Sequence, residues 1–114
     1  MSSLISESSL GTPESLGHPA TDEIELAGVL QALSDPMRLR IVVALAGEAE
    51  LSCKNIDLPV VKSTCTHHFR VLREAGVIRQ RQEGTSRLNS LRRADLDTRF
   101  PGLLESVLRA LRDS

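Results

Sequence analysis

This sequence predicts a mainly α domain with one small β-hairpin, on three observations. Apolar residues recur at helical spacing through much of residues 21–75, the period turns extended on both sides of Glu83-Gly84, and helical spacing returns from Leu104 to Leu111. The expected order is four helices, two strands and a last helix. Size and composition agree, since 114 residues with 40% hydrophobic and 25% charged side chains fit one small globular domain rather than a fibrous repeat or a disordered chain.

Each element follows from local chemistry. Residues 1–20 are rich in Ser, Gly, Pro and Glu without an apolar period, and are expected as a disordered or loosely attached tail before a domain over residues 21–112. Thr21 is a candidate N-cap ahead of Asp22 and Glu23, and Leu26, Val29, Leu30 and Leu33 share one helix face. Ser34-Asp35-Pro36 ends that helix and starts another, with Asp35 as cap and Pro36 in the first turn, where its missing N–H costs nothing. Leu39, Val42, Val43 and Ala46 form the expected core face of this second helix, widened by Ile41 and Leu45, and Gly47 ends it.

Two more helices are expected between Leu51 and Gly76, separated by Asp57-Leu58-Pro59. The first is short. The second begins at Lys62 or Ser63 and ends at Ala75, with Gly76 following, and its inward face holds Cys65, Phe69 and Leu72. Ser63, Thr66, His67, Arg70 and Glu74 point largely the other way. A short helix, a tight turn and a second helix with an outward polar and basic face make a helix-turn-helix, whose second helix fits the DNA major groove. Val77 to Gln82 and Thr85 to Leu91 then form a hairpin in which Gly84 supplies a positive φ. Its Arg79, Arg81 and Arg87 are placed to meet phosphate or the minor groove, as a wing does. Leu104, Val107, Leu108 and Leu111 give the last helix, with Pro101 near its start.

Charge is segregated. Residues 1–35 carry six acidic side chains and no Lys or Arg, whereas residues 62–93 carry eight Lys and Arg against Glu74 and Glu83. A phosphate backbone meets a surface rather than an average, so this basic third outweighs the net charge of -1 as a pointer to a polyanion. Two Phe with no Tyr or Trp leave little to stack on unpaired bases, which disfavours single-stranded nucleic acid and RNA loops. The longest aliphatic stretch, Ile41 to Ala46, is far too short to span a bilayer. No basic residue precedes an apolar block at the start, so no secretory signal is expected and Cys53 and Cys65 are expected as cytoplasmic thiols.

Three runs carry a family resemblance: Leu33-Ser-Asp-Pro-Met-Arg-Leu-Arg-Ile-Val, Lys62-Ser-Thr-Cys-Thr-His-His-Phe-Arg-Val-Leu-Arg-Glu-Ala-Gly-Val-Ile and Glu83-Gly-Thr-Ser-Arg-Leu-Asn-Ser-Leu. Together they resemble the ArsR/SmtB family of bacterial winged-helix repressors over roughly residues 24–108. The resemblance implies a homodimer formed by the first and last helices, bound as a repressor to an inverted-repeat operator in double-stranded DNA and released by a signal. It also implies a cytoplasmic, nucleoid-associated protein. It places base contacts on Ser63, Thr64, Thr66, His67 and Arg70, with Lys62 near phosphate.

The chain departs from that family at two places. Val61 stands where a capping residue is common, which moves the expected start of the reading helix towards Ser63. The metal-ligand patterns of the family are also missing: Leu51-Ser52-Cys53-Lys54-Asn55 has one Cys between the ligand positions, and no His lies beyond His68. No metal and no cofactor are expected. His67 and His68 are adjacent and diverge, so His67 is assigned to DNA and His68 to a packed, orienting role. Cys65 is read as a small core hydrophobe and Cys53 as the candidate redox residue, because it sits on the element supporting the reading helix. The acidic pairs Asp95/Asp97 and Glu23/Glu25 read as surface charge. No nucleophile, base and orienting group recur at usable spacing, so no enzymatic role is expected. The competing readings are a winged-helix protein-interaction module, a thiol-based redox-responsive regulator and, more weakly, a small thiol enzyme around Cys53.

Overall fold

The computed structural model describes residues 17–113. Among the described residues, five α-helices run α1 (Leu26–Ala32), α2 (Pro36–Ala46), α3 (Lys62–Ala75), α4 (Arg93–Arg99) and α5 (Leu103–Asp113), with three short strands, β1 (Leu51–Ser52), β2 (Ile78–Glu83) and β3 (Ser86–Leu91). The strands form one antiparallel sheet in the order β1-β3-β2, so the wing is a hairpin with a short third strand at its side.

Local chemistry accounts for most element ends. Asp35 caps α2, its Oδ2 accepting from the Met37 and Arg38 amides at 2.8 and 3.2 Å, with Pro36 next. Burial pushes the Asp35 carboxyl upward, but the two amides and the nearby His68 and Arg38 outweigh it and hold the group below the ordinary carboxylate range. At the end of α3, Gly76 has φ 90°, and the Gly76 and Val77 amides donate to the Arg73 and Leu72 carbonyls. This is a left-handed helix stop that turns the chain straight into β2. Gly84 opens the hairpin turn with φ 62°, between the paired residues Glu83 and Ser86.

The core joins every layer. Ile24, Val29, Ala32, Ile41, Val42, Leu45, Phe69, Leu72, Val77, Ile78, Leu96, Leu104 and Leu108 are all buried. Phe69 and Leu72 hold α3 down, each worth about 1.5–3 kcal/mol by burial.

Four expectations change. The first helix does not start at Thr21: a 3-10 turn spans Thr21–Glu23, α1 begins at Leu26, and the Thr21 hydroxyl donates to Asp95 Oδ1 at 2.6 Å instead of capping. Leu51 to Asn55 is not a helix but β1 followed by a 3-10 turn over Cys53–Asn55, because Leu51 pairs with Asn89 on the wing. An added helix, α4, precedes the last one, and Pro101-Gly102 separates the two, with Gly102 at φ 85°. The buried face of α2 is Ile41, Val42 and Leu45, while Val43 is exposed.

Asp95 is also more than surface charge. It accepts from Thr21 and from Arg92 Nε at 2.8 Å, with Arg79 at 3.6 Å, and these bonds hold its carboxyl below the ordinary range against the effect of burial.

Of the expected tail, residues 1–16 lie outside the described residues, whereas Gly17–Ala20 lie against the edge of β2. Arg92 Nη1 donates to the Pro19 carbonyl at 2.8 Å, and the Gln80 amide donates to His18 Nε2 at 2.9 Å. Burial, with the charges of Arg79, Arg92 and Arg73, lowers the His18 pKa below its ordinary 6.5. The neutral ring is the acceptor, so its stabilisation is complete above the unfolded value and is lost as pH falls through the lower folded value. From about pH 7.5 to about pH 5 the melting temperature of the parent should fall more than that of His18→Ala. A fall in melting temperature that is the same in both proteins would mean that the contact of His18 with Gln80 does not stabilise the fold.

Candidate nucleic-acid interface

The candidate surface is built on α3. Its first turn has no side-chain cap: Val61 occupies the cap position, its carbonyl accepts the Cys65 amide at 2.9 Å, and the helix starts at Lys62 rather than Ser63. The positive end of a 14-residue helix is thus open beside Lys62 and Ser63, a placement suited to phosphate.

Lys62, Ser63, Thr66, His67 and Arg70 line one shallow concavity on the outer side of α3, and all five are exposed. Helical spacing explains the grouping, since positions three, four and seven residues apart return to one face. Thr64 is exposed but does not line that concavity. Beneath them, His68 is buried and its Nδ1 lies 3.1 Å from Arg38 Nη1, while Arg38 Nε donates to the Ala32 carbonyl at 2.6 Å. This orients α3 against α1 and α2. The His67 and His68 rings are 5.9 Å apart between centroids.

Strand register divides the three wing arginines. Gln80 pairs with Asn89 and Gln82 with Arg87, while Arg79 pairs with Ser90 and Arg81 with Leu88. Successive residues face opposite sides of a sheet, so Arg87 shares a side with Gln82, and Arg79 and Arg81 take the other. Arg87 and Gln82 line a cleft with Lys62 and Thr66 of α3. Arg79 lies on Asp95, and Arg81 is held by both Glu50 oxygens, Nε to Oε2 at 2.7 Å and Nη2 to Oε1 at 2.9 Å, with Glu83 at 2.9 Å from Nη1. The Arg81 hydrogen bonds hold the Glu50 carboxyl below its ordinary range, outweighing the effect of burial. Lys62, Arg70 and Arg87 have no ion-pair partner among the described residues.

A consequence can be measured as the slope of log binding constant against log salt on random duplex. Glu50→Gln/Glu83→Gln removes both carboxylates from Arg81 and should tighten binding and steepen the slope by about one unit. Arg81→Ala in the parent should leave the slope unchanged, and a fall of about one unit would put Arg81 on phosphate after all.

Sequence reasoning missed the support under this surface. Arg73 Nη1 donates to Gln80 Oε1 at 2.9 Å, and Gln80 Nε2 donates to Asn89 Oδ1 at 2.7 Å. Asn89 Nδ2 in turn faces the Leu51 carbonyl at 3.1 Å and Cys53 Sγ at 3.5 Å. Gln80 and Asn89 are 3% and 0% exposed, so this chain of amides is the buried link between α3, the wing and the 3-10 turn. Two large polar residues at inward strand positions were its only signal.

No helix among the described residues is long and apolar enough to cross a membrane. A family model described as a helix-turn-helix domain matches residues 33–81. The chain is similar to the uncharacterized HTH-type transcriptional regulator YceK of Bacillus subtilis (strain 168), with 37% identity over 90 residues that cover 76% of this chain and 90% of the relative. A solved structure described as a possible transcriptional regulator for arsenical resistance has 30% identity and a TM-score of 0.56, over 78% of this chain and 83% of that one. A solved ArsR family transcriptional regulator shares the fold, with 23% identity and a TM-score of 0.58 over 78% of this chain and 97% of that one. The winged sheet, the exposed basic helix and these relatives together make the chain a member of the ArsR family of winged helix-turn-helix transcriptional regulators.

Proposed function

We propose that the protein is a dimeric repressor that binds an inverted repeat in double-stranded DNA, with α3 of each copy in a major groove. The observation that carries this reading is the outer face of α3, where Lys62, Ser63, Thr66, His67 and Arg70 are exposed together and Lys62 and Arg70 have no ion-pair partner among the described residues. Arg and His on such a face match base edges, and Ser and Thr match bases or phosphate. Arg87, on the same side of the wing, reaches the flanking backbone.

Dimerisation through α1 and α5 is supported by what one copy leaves uncovered. Leu26 and Leu30 are 46% and 48% exposed although they share the apolar stripe of α1, and Leu103 and Val107 of α5 are half-buried. A second copy related by a twofold axis covers such a stripe and repeats α3 about one DNA turn away. Occupancy of that site excludes other proteins from it, which is repression.

Selection from a random duplex library tests the reading, with sedimentation alongside. The expected result is an inverted repeat with half-sites about 10 base pairs apart, centre to centre, bound by a dimer. Leu26→Glu/Leu30→Glu should sediment as a folded monomer and lose the repeat. Selection of no sequence, or of a single half-site by a monomer, would overturn it.

A further inference from the structure

Cys53 and Cys65 come from different elements, the 3-10 turn after β1 and the inner side of α3, yet both line the same cleft of about 700 Å³ between α3 and the wing. Both are free and half-buried. Burial and then the charge of Cys53 push the Cys65 thiol up. The cleft is also part of the proposed DNA surface, because Lys62, Thr66 and Arg87 line it too. Cys53 Sγ terminates the buried chain of amides that runs through Asn89 and Gln80 to Arg73 of α3. Among the described residues, the Arg73 Nε at the far end has no hydrogen-bond partner. Among the described residues no three His, Cys, Asp or Glu side chains converge, so the chemistry open to this pair is that of two sulfurs.

We propose that Cys53 and Cys65 are a dithiol switch: a hydroperoxide closes them into an intrachain disulfide, and closure releases DNA. The raised Cys65 thiol assigns the first attack to Cys53. The Cys53 thiolate attacks the terminal peroxide oxygen, the O–O bond breaks, and the alcohol or water leaves with a proton, giving a sulfenic acid. Cys65, losing its proton, attacks that sulfur; the S–O bond breaks and hydroxide leaves, taking up the proton as water. The two thiols lose two electrons and two protons, and the peroxide takes them. A disulfide holds its two Cα atoms about 5.5–6 Å apart, which ties the 3-10 turn to the underside of α3. It also withdraws Cys53 Sγ from Asn89 and shifts the link between α3 and the wing.

The switch deepens the proposed function and rests on it for its DNA readout, so the test has an arm that needs no DNA. The full chain is treated with hydrogen peroxide at small excess, run on a non-reducing gel and digested with trypsin, which cleaves at Lys54 and Lys62 and separates the two cysteines. Mass spectrometry should find the two peptides joined, in protein that migrates as a single chain, and neither Cys53→Ser nor Cys65→Ala should give the linked mass. On the duplex selected above, oxidation should weaken the parent at least about tenfold, dithiothreitol should restore it, and both variants should bind alike before and after peroxide. Peroxide that leaves Cys53 and Cys65 unlinked overturns the proposal, as does a linked protein that binds as tightly as the reduced one. A reduced parent that selects no duplex sinks the proposed function instead, and the linked peptides still decide the dithiol.

Discussion

Gly76→Ala should lower the melting temperature by about 10–20 °C, the largest stability loss expected from one methyl group in this chain. Two costs coincide there. Gly76 has φ 90°, a conformation that costs an L side chain about 1–2 kcal/mol. A Cβ at that position would also sit 2.6 Å from Ile24 Cγ1 and 2.8 Å from Ile24 Cδ1. Ile24 has little room to yield, being 1% exposed with its carbonyl held by Arg99 Nε and Nη2 at 3.0 and 2.6 Å. Overpacking of this kind costs about 1–3 kcal/mol more. Gly84 supplies the control, since it has φ 62° but nothing within 4 Å of an added Cβ. Gly84→Ala should therefore lose only the backbone part, and thermal melts of the two variants side by side measure the difference. Equal losses would mean that Ile24 relaxes freely and that the joint between α3 and β2 is not held by this contact.

At the operator, Arg70→Ala and His67→Ala should each cost about 1–3 kcal/mol, or roughly 5- to 150-fold in affinity, and should flatten base preference at one position in each half-site. Both side chains are exposed on the outer side of α3, so neither variant should change the melting temperature appreciably. Thr64→Ala serves as the comparison. Thr64 is exposed but lies outside the concavity lined by Lys62, Ser63, Thr66, His67 and Arg70, and its loss should change affinity far less. Titration of the selected duplex against random duplex separates the effects, because a lost base contact narrows the ratio between the two and a lost phosphate contact weakens both. A Thr64→Ala variant as impaired as Arg70→Ala would mean that α3 enters the groove at a different rotation.

Which of these features the sequence made legible depends on how local their causes are. The Asp35-Pro36 start of α2, the Gly76 stop of α3 and the Gly84 turn each rest on one residue's own conformational or capping chemistry, and all three stand in the structure where the sequence puts them. The split of the wing arginines is also a local matter of strand parity, hidden only because positive charge draws attention before facing does. Two-residue β1 is too short to display a period, and α4 buries a single residue, Leu96, which leaves no stripe to read. The ties of Thr21 to Asp95, His18 to Gln80 and Glu50 to Arg81 join residues 74, 62 and 31 positions apart, and nothing in one sequence announces such pairs. Periodicity grouped Leu26 and Leu30 with Val29 and Leu33 but is silent on what covers each of them; in one copy only the latter two are buried.

Whether the outer face of α3 reads base edges in the major groove is decided by methylation interference on the selected duplex. Methylation of guanine N7 blocks an acceptor that only a major-groove reader uses. Methylated guanines in both half-sites should exclude the parent, and Arg70→Ala should become indifferent to one of them in each half-site while remaining sensitive to the others. Binding by the parent that tolerates N7 methylation throughout the operator, or an interference pattern identical for the parent and Arg70→Ala, would contradict it.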